Sequence, residues 1–393
     1  MKIQRISFYE VILILSLFLF SLEDHGDVRL YVAVALVGMS IFFKGKIKVY
    51  KSIVNGFLLF VIFILIVSVL SEIDFASYRD NMMGYDEVNF FFSTSLKFLL
   101  CFIFLNQTFN EKEILLKVVS CVLSLHLAVF YIQFFTVYLT QGIYIDLLEP
   151  FTGEYARYSW NVNVPFIGQT FRPTGMYNEP STYSAYMLGL FLILSSLTNN
   201  LGKIGYLTIL SFFLSLSFAS ILCAFLILLV ININKKGLAL YFPIILVFSV
   251  ILSPLFINML EARMSGDYDA IGIRTGFFGI ILNQTIEEII FGNGPIGVPY
   301  EIEHIVNSSA QSWAKNGLPA LNDNGLIIFI LMKFGLLGCV LLFSFLFLCI
   351  SDTRKLLLNI ILLLTKIKYT SVVFIFYMAF HCINKMKSIK TQG

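Results

Sequence analysis

The ionisable and aromatic residues that could do chemistry in this chain are concentrated in two polar segments, at about residues 140–180 and 260–323. Arginines and carboxylates occur in both segments, which together also contain both tryptophans. Guanidinium groups hold anions, whereas carboxylates and imidazoles exchange protons. Long polar segments stand out in a chain in which 58% of the residues are hydrophobic. We therefore expect the function to lie in these two loops.

The rest of the chain is typical of a protein that lies in a lipid bilayer. Charged residues make up only 13% of the sequence, and phenylalanine alone contributes 41 residues. Apolar runs of about 15 to 25 residues, the length that crosses a ~30 Å hydrocarbon core, recur from end to end. The runs are continuous rather than alternating, which favours helices over a closed barrel. The sequence predicts one all-α integral membrane domain over residues 1–393.

Counting the apolar runs predicts a polytopic helical bundle of about 12 spans (10–12). The predicted spans are at about residues 8–22, 28–43, 54–71, 90–106, 114–139, 181–197, 204–216, 218–232, 239–259, 324–350, 353–366 and 369–383. Because lysine and arginine are retained in the cytoplasm, their distribution places both termini there and the two long loops on the outer face. Lys366 and Lys368 are the exception, since this scheme places them outside.

Several kinds of site are disfavoured by the sequence. The six cysteines lie inside predicted spans, and no zinc-ligand spacing, phosphate-cradling glycine loop or dinucleotide fingerprint is present. No basic patch suits nucleic acid. We therefore predict no metal, no cofactor and no nucleic-acid partner. A reaction on the outer face has no access to ATP or nucleotide sugars, so it must use a preactivated substrate, such as a lipid-linked sugar.

The order of short motifs on the two loops resembles one family. The motifs are Arg172, Gly175, Glu179 and Pro180 opening a span, Ser215 to Ser220 starting another, Arg274 followed by Gly292 and Gly294, and Asp323-Asn324-Gly325 with Gly335 and Gly338. Over about residues 150–345 they resemble the Wzy-type O-antigen or capsule repeat-unit polymerases, which share a membrane glycosyltransferase architecture with the O-antigen ligases. The ligases usually carry a His-Asn pair where this chain has Asp323-Asn324, which favours the polymerase.

The resemblance implies a reaction at the periplasmic face of the inner membrane. A growing glycan would pass from undecaprenyl diphosphate to the terminal hydroxyl of an incoming lipid-linked repeat unit. The partners implied are this lipid-linked oligosaccharide, membrane lipids and a chain-length regulator protein. Two alternatives stay open: a ligase that passes the glycan to lipid A core, and a flippase or transporter for the lipid-linked oligosaccharide. A transporter usually has ionisable residues along a central path, whereas here they concentrate in the loops.

The resemblance also assigns roles to arginines. Arg172 and Arg274 are the first candidates for stabilising the departing diphosphate, because a guanidinium binds phosphate oxygens in pairs and stays charged. Arg157 and Arg263 are second candidates for substrate binding. Each of the four could instead contact lipid headgroups at the interface or pair with a loop carboxylate.

The acceptor hydroxyl must lose a proton, and the candidates for accepting it are Glu179, Asp323 and His304. Glu179 and Asp323 are equally placed to cap the helices that follow them, and His304 could be a solvated loop residue. The aromatic residues expected to pack against sugar faces are Trp160, Trp313 and Tyr177, although an aromatic belt at the membrane interface would have the same composition. Lys333 lies inside a predicted span, which indicates either a functional residue or a position at the outer interface.

Overall fold

The computed structural model describes residues 6–22, 27–44, 87–108, 111–153, 155–164, 168–198, 201–232, 279–295, 324–350 and 352–390, with isolated positions at 51–62, 297 and 299. The described chain is mostly helical. Its elements are α1 (Phe8–Ser21), α2 (Asp27–Lys44), α3 (Glu87–Thr108), α4 (Lys112–Leu139), α5 (Glu149–Thr152), β1 (Ser159–Val164), β2 (Gly168–Phe171), α6 (Pro180–Leu197), α7 (Gly202–Leu214), α8 (Phe218–Asn232), α9 (Ile286–Phe291), α10 (Leu326–Cys349), α11 (Thr353–Leu363) and α12 (Val372–Lys390).

The predicted spans coincide with helices wherever the chain is described. The spans at 54–71 and 239–259 lie largely outside the described residues. Among the described residues, three helices are long and apolar enough to cross a membrane: Phe90–Thr108 within α3, Lys112–Leu139 and Leu326–Cys349. Shorter apolar helices surround them at Phe8–Ser21, Gly202–Leu214, Phe218–Asn232 and Val372–Asn384. This architecture fits a helical membrane protein.

Helix α6 is the central helix of the bundle. Nearly all of its residues are buried, and it packs against α4, α7, α8, α11 and α12. Gly189 allows the close approach of α12, because a Cβ at this position would lie 2.7 Å from Val373 Cγ1. Small residues have this role in many membrane helix interfaces. Helix α6 is therefore enclosed by neighbouring helices along most of its length.

The helices run between two ends of the bundle. At one end, Glu179 precedes α6 and pairs with Lys366 in the α11–α12 loop. At the other, Leu197 ends α6 and lines a cavity with Lys355 of α11. We call these the Glu179 end and the Lys355 end. The 18 residues of α6 place them about 27 Å apart at ~1.5 Å per residue.

The first long loop contains an element that the all-α prediction does not include. Strands β1 and β2 form an antiparallel hairpin in which Ser159 pairs with Phe171 and Val164 pairs with Gly168. The register shifts between Ser159 and Asn163, so the ladder contains an irregularity. The hairpin lies at the Glu179 end, immediately before α6.

Candidate functional site

Polar contacts at this end of the bundle converge on Glu179. It is the N-cap residue of α6 and has an extended backbone, but its side chain makes no capping hydrogen bond. Instead, Oε1 accepts a hydrogen bond from Arg157 Nη1, and Oε2 accepts one from Lys366 Nζ. The Ser181 hydroxyl donates to Oε2 at 3.3 Å. The carboxylate therefore organises two cations and does not cap the helix.

The β-hairpin places two arginines beside this carboxylate. The Arg157 amide donates to the Asn178 carbonyl at 2.8 Å, and the Arg172 amide donates to the Tyr158 carbonyl at 2.7 Å. Arg157 and Arg172 are thus on neighbouring backbone segments next to Glu179. The Arg157 side chain is 70% exposed, whereas Arg172 is half-buried and its Nε is enclosed by the protein.

Stacked aromatic rings hold the base of the hairpin. The rings of Tyr144 and Tyr158 stack at 4.0 Å with an interplanar angle of 4°. The Tyr144 and Thr174 hydroxyls are 2.9 Å apart, and the Tyr138 hydroxyl donates to the Phe171 carbonyl at 2.9 Å. These contacts join the end of α4 to the residues that flank the hairpin. The positions of the two arginines are therefore set by packing rather than by an open loop.

Lys366 reaches Glu179 because the α11–α12 loop is tied to three other parts of the fold. The Leu326 amide at the start of α10 donates to the Thr365 carbonyl at 2.7 Å. The Tyr369 hydroxyl donates to the Pro295 carbonyl at 2.8 Å, and Lys97 Nζ donates to the Thr370 carbonyl at 3.3 Å. The Lys366 side chain is only 12% exposed. We conclude that this lysine is an integral part of the site.

The charges around Glu179 determine its protonation state. Burial by itself would raise the pKa of the carboxyl group, but Lys366 first and Arg157 second lower it, and the resulting pKa is about 2. Glu179 is therefore ionised at every physiological pH. A carboxylate with this pKa is a weak general base while both cations remain paired with it.

Helix α10 is interrupted one-third of the way along, where the second loop docks. Gly335 has φ 61° and ψ −165°, a combination that is almost restricted to glycine. A Cβ there would clash with the Ile290 carbonyl, and a Cβ on Gly292 would lie 2.5 Å from Lys333 O. The backbone of α9 and its following turn thus fits directly into the break, which explains two of the glycines in the family-like motif.

Polar groups from the same turn donate hydrogen bonds to the backbone of α10 beside the break. Asn293 donates to the Met332 carbonyl through its backbone amide at 3.0 Å and through Nδ2 at 2.9 Å. Lys333 is 3% exposed, and its Nζ donates to the Gly297 carbonyl at 2.7 Å. Lys333 is thus buried within the protein, and a functional role for it stays a prediction. Gly325, not Asp323, occupies the N-cap position of α10.

Two further predicted site residues, Tyr177 and Trp160, lie in the described part of the chain. Tyr177 is fully buried and its hydroxyl donates to the Ser21 carbonyl at 2.7 Å, so its ring does not offer a surface to a sugar. Trp160 lies in β1. The remaining predicted site residues lie outside the described part of the chain: Arg263, Arg274, His304, Trp313 and Asp323.

Comparison with known proteins adds no further constraint. No family model, curated protein or solved structure matches this chain. The functional argument therefore depends on the residues and their geometry.

Sequence reasoning did not include Lys366 in the site, although a signal was present. Lys366 and its neighbour Lys368 are the exception to the distribution of cations predicted from the spans. In the structure Lys366 pairs with Glu179, so the lysine that did not fit the predicted distribution is the one that contacts the site. The pairing could not be predicted because the two residues are 187 positions apart in the chain.

Proposed function

We propose that this protein is a membrane glycosyltransferase that polymerises undecaprenyl-diphosphate-linked oligosaccharide repeat units at the outer face of the bacterial inner membrane. The observation that supports it is the cluster at the Glu179 end, where Arg157 and Lys366 share one carboxylate and Arg172 lies on the adjacent backbone segment, immediately after β2. A lipid-linked sugar presents a diphosphate, and phosphate oxygens are the acceptors that arginine forks bind best.

The cluster suits diphosphate because its cations are positioned before the ligand arrives. Arg157 keeps most of its guanidinium exposed while one nitrogen contacts Glu179. Cations fixed in this way stabilise the negative charge that develops on a leaving diphosphate without having to reorganise during the reaction. Arg172, with its enclosed Nε, adds a second guanidinium from the residue that follows β2. Arg274 and Arg263 retain their predicted roles in this proposal.

Glu179 acquires a second role in the proposed reaction. Its pKa is about 2 because Lys366 and Arg157 offset the effect of burial. A diphosphate bound against the same cations adds negative charge beside Glu179 and offsets part of that compensation, so the pKa of the carboxyl group then rises. The carboxylate becomes a better proton acceptor only when substrate is bound. In this proposal it can receive the proton of the acceptor hydroxyl as the glycosidic bond forms and diphosphate departs.

The proposed orientation is supported by the cations at the Lys355 end. Lys44 ends α2, Lys203 lies in the first turn of α7 and Arg354 lies at the start of α11. The preference of cationic residues for the cytoplasmic side assigns this end to the cytoplasm. Both termini are then cytoplasmic, and the Glu179 end faces the periplasm.

A comparison of surface glycans from cells with and without the gene tests the proposal, provided that lipid-linked intermediates are extracted in parallel. A polymerase is supported if the deletion removes the ladder of chain lengths and leaves core carrying one repeat unit. Bare core with long polymer retained on the lipid carrier would instead establish a ligase.

A transporter of lipid-linked oligosaccharide is the second candidate, and one observation favours it. Interrupted helices with buried ionisable residues are typical of transport sites, and α10 is broken at Gly335 beside the buried Lys333. In the same experiment, bare core with single repeat units trapped on the inner leaflet would support transport and refute the polymerase.

A further inference from the structure

A second candidate site lies at the Lys355 end, away from Glu179. A cavity of about 400 Å³ opens among α3, α4, α6, α11 and α12. This volume falls within the range of ~300–1,000 Å³ that is common for small-molecule sites. Leu197 at the end of α6 lines it, so the length of the central helix separates it from the Glu179 cluster.

The cavity contains a buried polar group without a partner. His381 on α12 lines the cavity and is 5% exposed. Its Nε2 makes no hydrogen bond to any described residue. Rings on the same helix fix the imidazole, because Tyr377 and Phe380 contact it edge-on at 4.8 Å and 5.2 Å between centroids. A buried nitrogen without a hydrogen-bond partner costs free energy, which indicates that a bound ligand supplies the partner.

The charges around His381 favour an anion. Lys112 and Lys355 both line the cavity, and Lys355 is close enough to act electrostatically on the imidazole. Asp352 is the carboxylate that faces the cavity, and its Oδ1 accepts the Arg354 amide at 2.9 Å as a helix cap. Glu111, next to Lys112, pairs with Lys44 at 2.8 Å. The positive charge of the two lysines therefore exceeds the negative charge of the single carboxylate, which already caps a helix.

Thr108, Ser196 and Asn384 add polar groups to the lining, but much of the remaining wall is apolar, which distinguishes this cavity from a site for a free ion. Leu105, Leu115, Leu197, Phe380 and Ile383 all line it. A ligand that matches both the two lysines and the apolar residues has an anionic head group and a hydrocarbon chain. The cavity also lies where apolar helices end in lysines, the usual depth of a lipid headgroup.

We propose that this cavity binds an anionic phospholipid, with its phosphate between Lys112, Lys355 and the Nε2 of His381 and an acyl chain along the leucines of α3 and α4. The proposal does not depend on the reaction at the Glu179 end. It assigns the Lys355 end a lipid-binding role that is separate from any substrate.

Binding can be measured by native mass spectrometry of the full-length protein in neutral detergent, titrated with phosphatidylglycerol. Losing one charge-assisted hydrogen bond corresponds to about ten-fold weaker binding. We expect that loss for Lys355→Gln and for Lys112→Gln. The matched control is Lys203→Gln, which removes an exposed lysine at the same end outside the cavity and should leave the affinity within about two-fold.

Two further variants and two further ligands keep the test decisive. His381→Phe preserves the ring volume but removes Nε2, so binding should weaken, whereas His381→Gln keeps a donor and should retain more of it. Phosphatidylcholine should bind more weakly than phosphatidylglycerol, and inorganic phosphate should not compete at millimolar concentration. Equal losses in Lys203→Gln and Lys355→Gln would overturn the proposal. Full competition by inorganic phosphate would also overturn it, because the site would then recognise a free anion.

Discussion

Replacing Lys366 with methionine should destabilise the protein, because the buried Glu179 carboxylate then loses its principal counter-ion. Methionine keeps most of the side-chain volume and removes the charge. After the substitution, Glu179 is left with Arg157, whose side chain is 70% exposed and therefore strongly screened by water. Removing one member of a largely buried ion pair leaves the other charge poorly compensated. This costs more stability than the absence of both charges.

The size of the effect follows from the pKa of Glu179. Together the surroundings lower it from 4.5 to about 2, and each pKa unit corresponds to about 1.4 kcal/mol, so the ionised carboxylate contributes about 3 kcal/mol near neutral pH. Lys366 is the largest favourable cause, and we expect Lys366→Met to remove about 2 kcal/mol of it. Because the folded-state pKa is the lower one, this contribution is present above about pH 4.5 and is lost as the pH falls towards 2.

The assay is the free energy of unfolding of the purified protein in mixed micelles, measured for wild type, Lys366→Met, Glu179→Gln and the double variant. Lys203→Met is the control for removing a lysine. The two substitutions should be strongly non-additive, with a coupling energy of about 1–2 kcal/mol. Between pH 5 and pH 3 the stability of wild type should fall relative to that of Glu179→Gln. Additive effects, or parallel pH profiles for these two proteins, would refute the reasoning.

Three other outcomes are expected. Gly335→Ala should unfold the protein or lower its melting temperature markedly, since its backbone conformation excludes a side chain, whereas Gly38→Ala, with open space around it, should leave the melting temperature of the detergent-solubilised protein unchanged. Arg172→Ala and Arg274→Ala should each abolish glycan chain growth while immunoblots still find the protein in the membrane; normal chain lengths would refute the diphosphate assignment. Tyr177→Phe removes one buried hydrogen bond and should cost about 1 kcal/mol of stability without shortening the glycan, and a shortened ladder would contradict its placement in the core.

The helical architecture could be predicted because each helix carries its own signal. A continuous apolar run defines α4 or α8 without reference to any other part of the chain, and Pro180 after a polar segment indicates where α6 begins. Of the site residues predicted before α6, Arg157 and Glu179 form an ion pair, and their chemical roles stay predictions.

What could not be predicted depends on contacts between distant segments. The local sequence around Glu179 is equally compatible with helix capping and with ion pairing. Only the contact with Lys366, which is distant in the chain, decides between them. For Tyr177 the expectation of a ring that faces a sugar was wrong, because an aromatic residue in a polar loop can still point into the core. The break in α10 was also missed, since glycine is common in membrane helices and only the docking of Gly292 shows that Gly335 interrupts the helix.

The order in which the ribosome makes these residues has a consequence for how the protein is assembled. Lys366 follows Glu179 by 187 residues, which at ~5–20 residues per second is about 10 to 40 s of synthesis. During that interval α6 carries at its start a carboxylate whose principal counter-ion has not yet been translated. The final pair of helices, α11 and α12, therefore completes the ion cluster as well as the bundle. A chain that is truncated before α11 would carry Arg157 and Arg172 and still lack the lysine that makes the buried charge tolerable.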